Sequence, residues 1–143
     1  MTPILSPWTR PASAEKPAPK CLRQRVLVVE DELLIGEIAA EALTDAGYEV
    51  FMAASAEEAE VVLRDMSVDL LFTDINLGGR DGFELAQTAL SLQPLLLIVF
   101  TSGRSWICHG MCQSAGVPFL AKPYHLAEVV ETVERALRVT AIQ

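Results

Sequence analysis

Val26-Leu27-Val28-Val29-Glu30-Asp31-Glu32 sets four apolar residues, three of them valines, directly before three carboxylates. A short β-branched run without polar alternation is the pattern of a strand buried on both faces. The carboxylates fall where such a strand would leave its sheet. Downstream, Leu33 to Ala46 carries helical spacing at Leu34, Ile38 and Leu43 and stops at Gly47, as a helix C-terminus should.

The same alternation repeats to the end of the chain. Tyr48–Ala53 reads as a second strand. Ser55 is an N-cap with Glu57 and Glu58 in the first turn of a helix reaching about Met66. Val68–Thr73 is a third strand, Asn76–Gly82 a loop and Phe83–Leu92 a third helix. Leu95–Phe100, wholly apolar, is expected to be a central fourth strand. Ser105–Ala115 reads as a fourth helix ending at Gly116, and Val117–Ala121 as a fifth strand. His125–Val139 is a fifth helix with Leu126, Val129, Val130, Val133 and Leu137 on one face. Five strand–helix units in strict alternation imply a parallel sheet covered on both faces. The expected fold is α/β, a flavodoxin-like (βα)5 doubly wound sheet of order 2-1-3-4-5, by analogy with known sheets of this kind.

Residues 1–24 differ from the rest, with five prolines between Pro3 and Pro19 among Ser, Ala and Lys. Such a segment buries little surface, and a flexible tail is expected ahead of one domain over residues 25–143. Trp8 is the residue there best suited to dock on something. A chain of 143 residues fits one core. The longest apolar run, Pro94–Phe100, falls well short of the roughly 18–20 residues needed to cross a bilayer. The first twenty residues lack the apolar core of a secretory signal. A net charge of −8 argues against a nucleic-acid surface. Three cysteines in no framework spacing suit a reducing cytoplasm.

Open α/β sheets build their sites at the carboxyl ends of strands. Here those ends are Glu30-Asp31, Asp74, Thr101-Ser102 and Lys122-Pro123. Each residue alone would pass for an ordinary cap or solvated charge; together they put three carboxylates, a hydroxyl and an ammonium on one rim. Crowded carboxylates repel unless a cation sits among them. A hard divalent ion such as Mg²⁺ suits one or two carboxylates plus phosphate oxygens. It also offsets charge during phosphoryl transfer to an oxygen nucleophile, a part a carboxylate can play.

Val26–Glu32, Leu71-Phe72-Thr73-Asp74-Ile75-Asn76-Leu77, Asp81-Gly82, Phe100-Thr101-Ser102-Gly103 and Phe119-Leu120-Ala121-Lys122-Pro123-Tyr124 resemble the receiver domains of bacterial response regulators. The resemblance runs from about Arg25 to Val139. It implies that Asp74 is the phospho-acceptor, that Asp31 binds Mg²⁺ directly and Glu30 through water, and that the Asn76 backbone carbonyl completes the site. Thr101 becomes the switch hydroxyl, Lys122 the phosphate-sensing cation and Phe119 the switch aromatic, with a cis Lys122–Pro123 bond. The implied partners are a histidine kinase or histidine phosphotransfer protein and a downstream protein, with no nucleic acid and no membrane, and a monomer or weak dimer as the assembly. The role is that of a phosphorelay acceptor assisting its own phosphorylation and dephosphorylation, not of a turnover enzyme.

Only Thr140-Ala141-Ile142-Gln143 follow the last helix, so a stand-alone receiver is expected, signalling through the face made by the fourth helix, fifth strand and fifth helix. Some features depart from the family pattern. Gly78 stands where a proline is usual, which favours a more flexible loop. The connection from the third helix to the fourth strand looks short. The fourth helix carries Trp106, Ile107, Cys108, Met111 and Cys112. Cys108-His109-Gly110-Met111-Cys112 does not have the C-x-x-C-H order of haem attachment, and a zinc site would need further ligands. Two other function classes compete. A phosphorylation-independent binding module of this fold would not need Asp31, Asp74, Thr101 and Lys122 together. A flavin-binding protein would need a Ser/Thr/Gly-rich phosphate loop after the first strand, where this chain is acidic.

Overall fold

The structure, a computed structural model, describes residues 23–102 and 119–142. The expectations for Trp8, Ser105–Ala115 and the cysteines fall outside those residues.

Five parallel strands form the sheet: β1 (Arg25–Val29), β2 (Glu49–Ala53), β3 (Leu70–Asp74), β6 (Leu97–Ser102) and β7 (Phe119–Ala121), in the order β2-β1-β3-β6-β7. Counting only sheet strands, this is the expected 2-1-3-4-5. Four helices accompany them among the described residues: α1 (Leu33–Asp45), α2 (Ala56–Asp65), α3 (Gly82–Leu92) and α4 (Leu126–Ile142). Alternate β1 residues point to opposite faces. Leu27 and Val29 pack with Ala56, Ala59 and Leu63 of α2 and Leu85 and Ala89 of α3. Val26 and Val28 pack with Ala39 and Leu43 of α1 and Val129, Val133 and Leu137 of α4. The result is one layer of helices on each side of the sheet.

Local sequence explains most boundaries. Ser55 accepts the Glu58 N–H at 3.1 Å and so caps α2, while the Asp81 carboxylate accepts the Glu84 N–H at 2.8 Å and caps α3. Helix α1 closes with Gly47 at φ +107°, its N–H bonded to the Thr44 carbonyl and the Tyr48 N–H to the Leu43 carbonyl. That pair of bonds is the Schellman ending, and the left-handed position suits glycine. The short connection after α3 is held by Gln93, whose amide donates to the Leu63 and Met66 carbonyls and accepts the Val68 N–H.

Several expectations are corrected. The fourth sheet strand starts at Leu97, and Leu95 is 92% exposed in the turn before it. As expected it is an interior strand, paired with β3 on one side and β7 on the other, while β3 is buried at all five positions. On α1 the buried stripe is Gly36, Ala39 and Leu43, while Leu34 and Ile38 are exposed. Leu126 is also exposed, one turn too early to reach the core. The segment read as a loop after β3 is a small hairpin, β4 (Asn76–Leu77) against β5 (Arg80–Asp81), with Gly78-Gly79 as its turn. Gly78 has φ +80°, a conformation closed to proline and favoured for glycine at the start of two-residue hairpin turns.

Candidate functional site

The carboxyl ends of β1, β3, β6 and β7 bring together the residues that sequence reasoning singled out. Asp74, the last residue of β3, is 5% exposed, and its register partner on β6 is Thr101. Glu30 follows β1 and is 4% exposed; Asp31, next along, faces solvent. One carboxylate oxygen from each of Glu30, Asp31 and Asp74 lies within 4.8 Å of the others. Carboxylate oxygens so close together suit a hard cation held directly by some of them and through water by others. The donor set therefore fits a hard divalent cation.

Lys122, just beyond β7, reaches across the sheet end into this group. Its ammonium contacts Glu30 Oε1 at 2.7 Å and donates to Asp74 Oδ2 at 2.9 Å. The other Asp74 oxygen accepts the Asn76 N–H at 3.1 Å, and the Thr73 hydroxyl donates to the Asp74 carbonyl at 2.9 Å. Asp74 is thus fixed on both oxygens. The resemblance put Glu30 on the metal through water; in the structure it also shares the lysine with Asp74. The Lys122–Pro123 peptide is cis. Thr101 is 1% exposed, and its carbonyl accepts the Ile75 N–H at 2.9 Å. Phe119 is half-buried and packs against the cluster of Phe100 and Ala86.

Burial penalises charge here, and the lysine partly repairs it. Desolvation first, opposed by the Lys122 hydrogen bond and reinforced by the Asp74 charge, pushes the Glu30 carboxyl up to about 7. Burial alone would lower the Lys122 ammonium, but hydrogen bonds to Glu30 and Asp74 outweigh it and hold that group above its usual value. The Tyr124 phenol is pushed up to about 12, by burial and then by Glu30; its ring meets Phe72 edge to face.

A stability prediction follows from Glu30. A carboxyl whose folded pKa lies above the unfolded value binds more protons when folded, so its contribution is fully present below about 4.5 and is lost as pH rises toward about 7. The metal-free protein is expected to lose up to about 3 kcal/mol relative to Glu30→Gln across that window. Urea denaturation of both proteins in chelator, at about pH 5 and about pH 8, measures the difference. A gap that does not change with pH would contradict the buried, strained carboxylate.

Two features of the site were not read from the sequence. One is the hairpin that carries Asn76. The other is an apolar area at its border: Leu33, Leu34 and Ile38 are exposed, and a cavity of about 370 Å³ is lined by Ile35, Ile38, Lys122, Pro123 and Tyr124. Helical spacing flagged Leu34 and Ile38 but did not show that they face outward.

Comparison with known proteins agrees with this geometry. The profile of the response regulator receiver domain matches residues 26–134. The response regulator receiver protein CpdR of Brucella abortus is 32% identical over 116 residues, covering 80% of this chain and 97% of that protein. The transcriptional regulatory protein PhoP of Escherichia coli is 33% identical over 116 residues, and the match spans 80% of this chain but only 52% of PhoP. Among solved structures, a CheY-like receiver domain protein from Methanospirillum hungatei superposes with a TM-score of 0.73 at 27% identity, covering 81% of this chain and 94% of that one. Among the described residues, no helix is long and apolar enough to cross a membrane.

Proposed function

Because the chain belongs to the response regulator receiver-domain family, we propose that it accepts a phosphoryl group on Asp74 from a histidine kinase or histidine phosphotransfer protein and signals onward through protein contacts. The observation that carries this reading is the convergence of Glu30, Asp31 and Asp74 with Lys122 and Thr101 at one end of the sheet. Receiver domains are signalling domains rather than turnover enzymes, and this one is read in the same way, in a cytoplasmic setting.

Glu30, Asp31, Asp74 and the Asn76 backbone carbonyl would hold Mg²⁺, with Glu30 acting through water. Bound there, the ion offsets charge on the phosphoryl oxygens. Asp74 supplies the nucleophile. One carboxylate oxygen forms the new P–O bond while the donor P–N bond breaks, and the electron pair leaves with the donor imidazole. The product is an acyl phosphate. Lys122, already on Asp74, would pair with a phosphoryl oxygen, and the Thr101 hydroxyl, on the residue in register with Asp74, would donate to another. Movement of Thr101 toward the phosphoryl group opens room that Phe119 takes up, which changes the surface around β7 and α4. The exposed apolar residues of α1 and the cavity that shares Lys122 with the site offer the donor a landing surface beside Asp74.

Acetyl phosphate with Mg²⁺ is expected to add one phosphoryl group to the full chain. A chain beginning at Arg23 should accept it equally, since the described sheet is complete from Arg25. Intact-mass spectrometry reads both. Beryllofluoride, which stands in for the phosphoryl group, should alter hydrogen exchange between Thr101 and Tyr124. An unlabelled full chain would end the reading, and label lost only on truncation would give residues 1–22 a part in the site.

A further inference from the structure

We infer that Arg80 is a positioning residue that latches the β4–β5 hairpin to α2 and so holds the Asn76 carbonyl in place for the cation. The inference rests on the proposed Mg²⁺ site. Its ground is a group of contacts with no part in that site as described above. The Arg80 guanidinium meets Glu60 at 2.7 Å through Nη2, Glu57 at 3.8 Å through Nη1 and Glu84 at 3.9 Å through Nε. Three carboxylates from two helices, α2 and α3, thus converge on one side chain of the hairpin. The closest is the best sheltered: the Glu60 side chain is 13% exposed. The Arg80 hydrogen bond holds the Glu60 carboxyl below the usual carboxylate range. A planar fork of five donors can serve several carboxylates at once, which a lysine cannot do.

The hairpin needs such a tie. It has two residue pairs, Asn76 with Asp81 and Leu77 with Arg80, and a glycine-only turn. So short a ladder has little stability of its own. Leu77 anchors it from below, buried in the core with Leu85 and Ala56. Its base closes where the Gly82 N–H meets the Ile75 carbonyl at 2.6 Å. Arg80, the partner of Leu77 in the ladder, supplies the outer anchor. The arm so held extends over the acidic site: Asn76 donates to Asp74, and a Cβ at Gly78 would stand 3.9 Å from an Asp31 carboxylate oxygen. Isolated surface ion pairs count for little, but here one arginine gathers three carboxylates around a segment with few other restraints.

Coulomb's law and the latch predict opposite signs. Removing a positive charge from the neighbourhood should tighten Mg²⁺ binding if charge alone matters. If Arg80 holds the carbonyl, Arg80→Ala should weaken Mg²⁺ about tenfold, as loss of a partner one step out from a metal ligand typically does. Calorimetric titration of the full chain with MgCl₂ measures this, with Asp31→Ala as the variant that removes a direct ligand. Arg80→Lys, which keeps the charge and one ion pair, should fall between the wild type and Arg80→Ala. Glu60→Gln should weaken Mg²⁺ in the same direction, and the double variant no more than Arg80→Ala alone. In the metal-free protein, hydrogen exchange at Leu77–Arg80 should quicken in Arg80→Ala while α1 and β1 keep their protection. Unchanged or tighter Mg²⁺ binding in Arg80→Ala, or unaltered exchange in the hairpin, would overturn the latch and leave the acceptor reading standing. A wild type that binds no Mg²⁺ would overturn both.

Discussion

Asp74→Asn is expected to take no phosphoryl group from acetyl phosphate under conditions that label the wild type. The substitution removes the nucleophile and one of the two acceptors of the Lys122 ammonium. Asparagine matches aspartate in size, its amide oxygen can still accept the Asn76 N–H, and Lys122 keeps its contact with Glu30. The fold should therefore persist. Intact mass after incubation with acetyl phosphate and Mg²⁺ gives the answer directly, with thermal denaturation as the control for folding. Label surviving on Asp74→Asn would place the acceptor elsewhere on the rim, with Asp31 the nearest exposed carboxylate.

Gly82→Ala should cost more stability than any other single change at the site. Gly82 is buried at the start of α3, where the chain turns back beneath the end of β3. A Cβ there would overlap the Asp74 carbonyl oxygen and stand 2.9 Å from the Ile75 Cα and 3.1 Å from the Asp74 carbonyl carbon. All of these are backbone atoms, so no side chain can swing away. Relief requires α3 to withdraw or the end of β3 to shift. The first breaks the Gly82–Ile75 hydrogen bond, and the second moves Asp74. Overpacking of this kind costs about 3 kcal/mol or more when the backbone itself must give way. Urea denaturation should show the loss, and phosphorylation should fall further than stability alone explains. A variant as stable and as readily labelled as the wild type would mean that the close approach is not needed.

Sequence and structure agree where local chemistry acts alone. The valine run of β1, the Ser55 cap and the glycine at the end of α1 are each decided within a few residues. The rim residues were legible as well, because strand ends are fixed once the alternation is read. What escaped was tertiary. Of the spaced residues Leu34, Ile38 and Leu43, only Leu43 is buried, and the sheet otherwise receives Gly36 and Ala39. Small residues let the helix backbone approach: a Cβ at Gly36 would already be 3.2 Å from the Glu30 and Met52 side chains. Nothing in a periodic pattern reveals which of two stripes a sheet will accept. The hairpin was missed because two residues per strand have no period, and a Gly-Gly pair reads as a loop. The Lys122 bridge joins residues 48 and 92 positions apart in the sequence, a distance only the folded sheet can close.

The exposed end of α1 also has a colloidal consequence. Leu33, Leu34 and Ile38 give each molecule a sticky spot, and the net charge of −8 keeps molecules apart by mutual repulsion. Salt shortens the reach of that repulsion to about 8 Å at physiological strength but leaves apolar attraction untouched. Dispersal in solution and adhesion through this face are therefore in tension. The same apolar face sets the concentration and salt at which the protein begins to keep its own company.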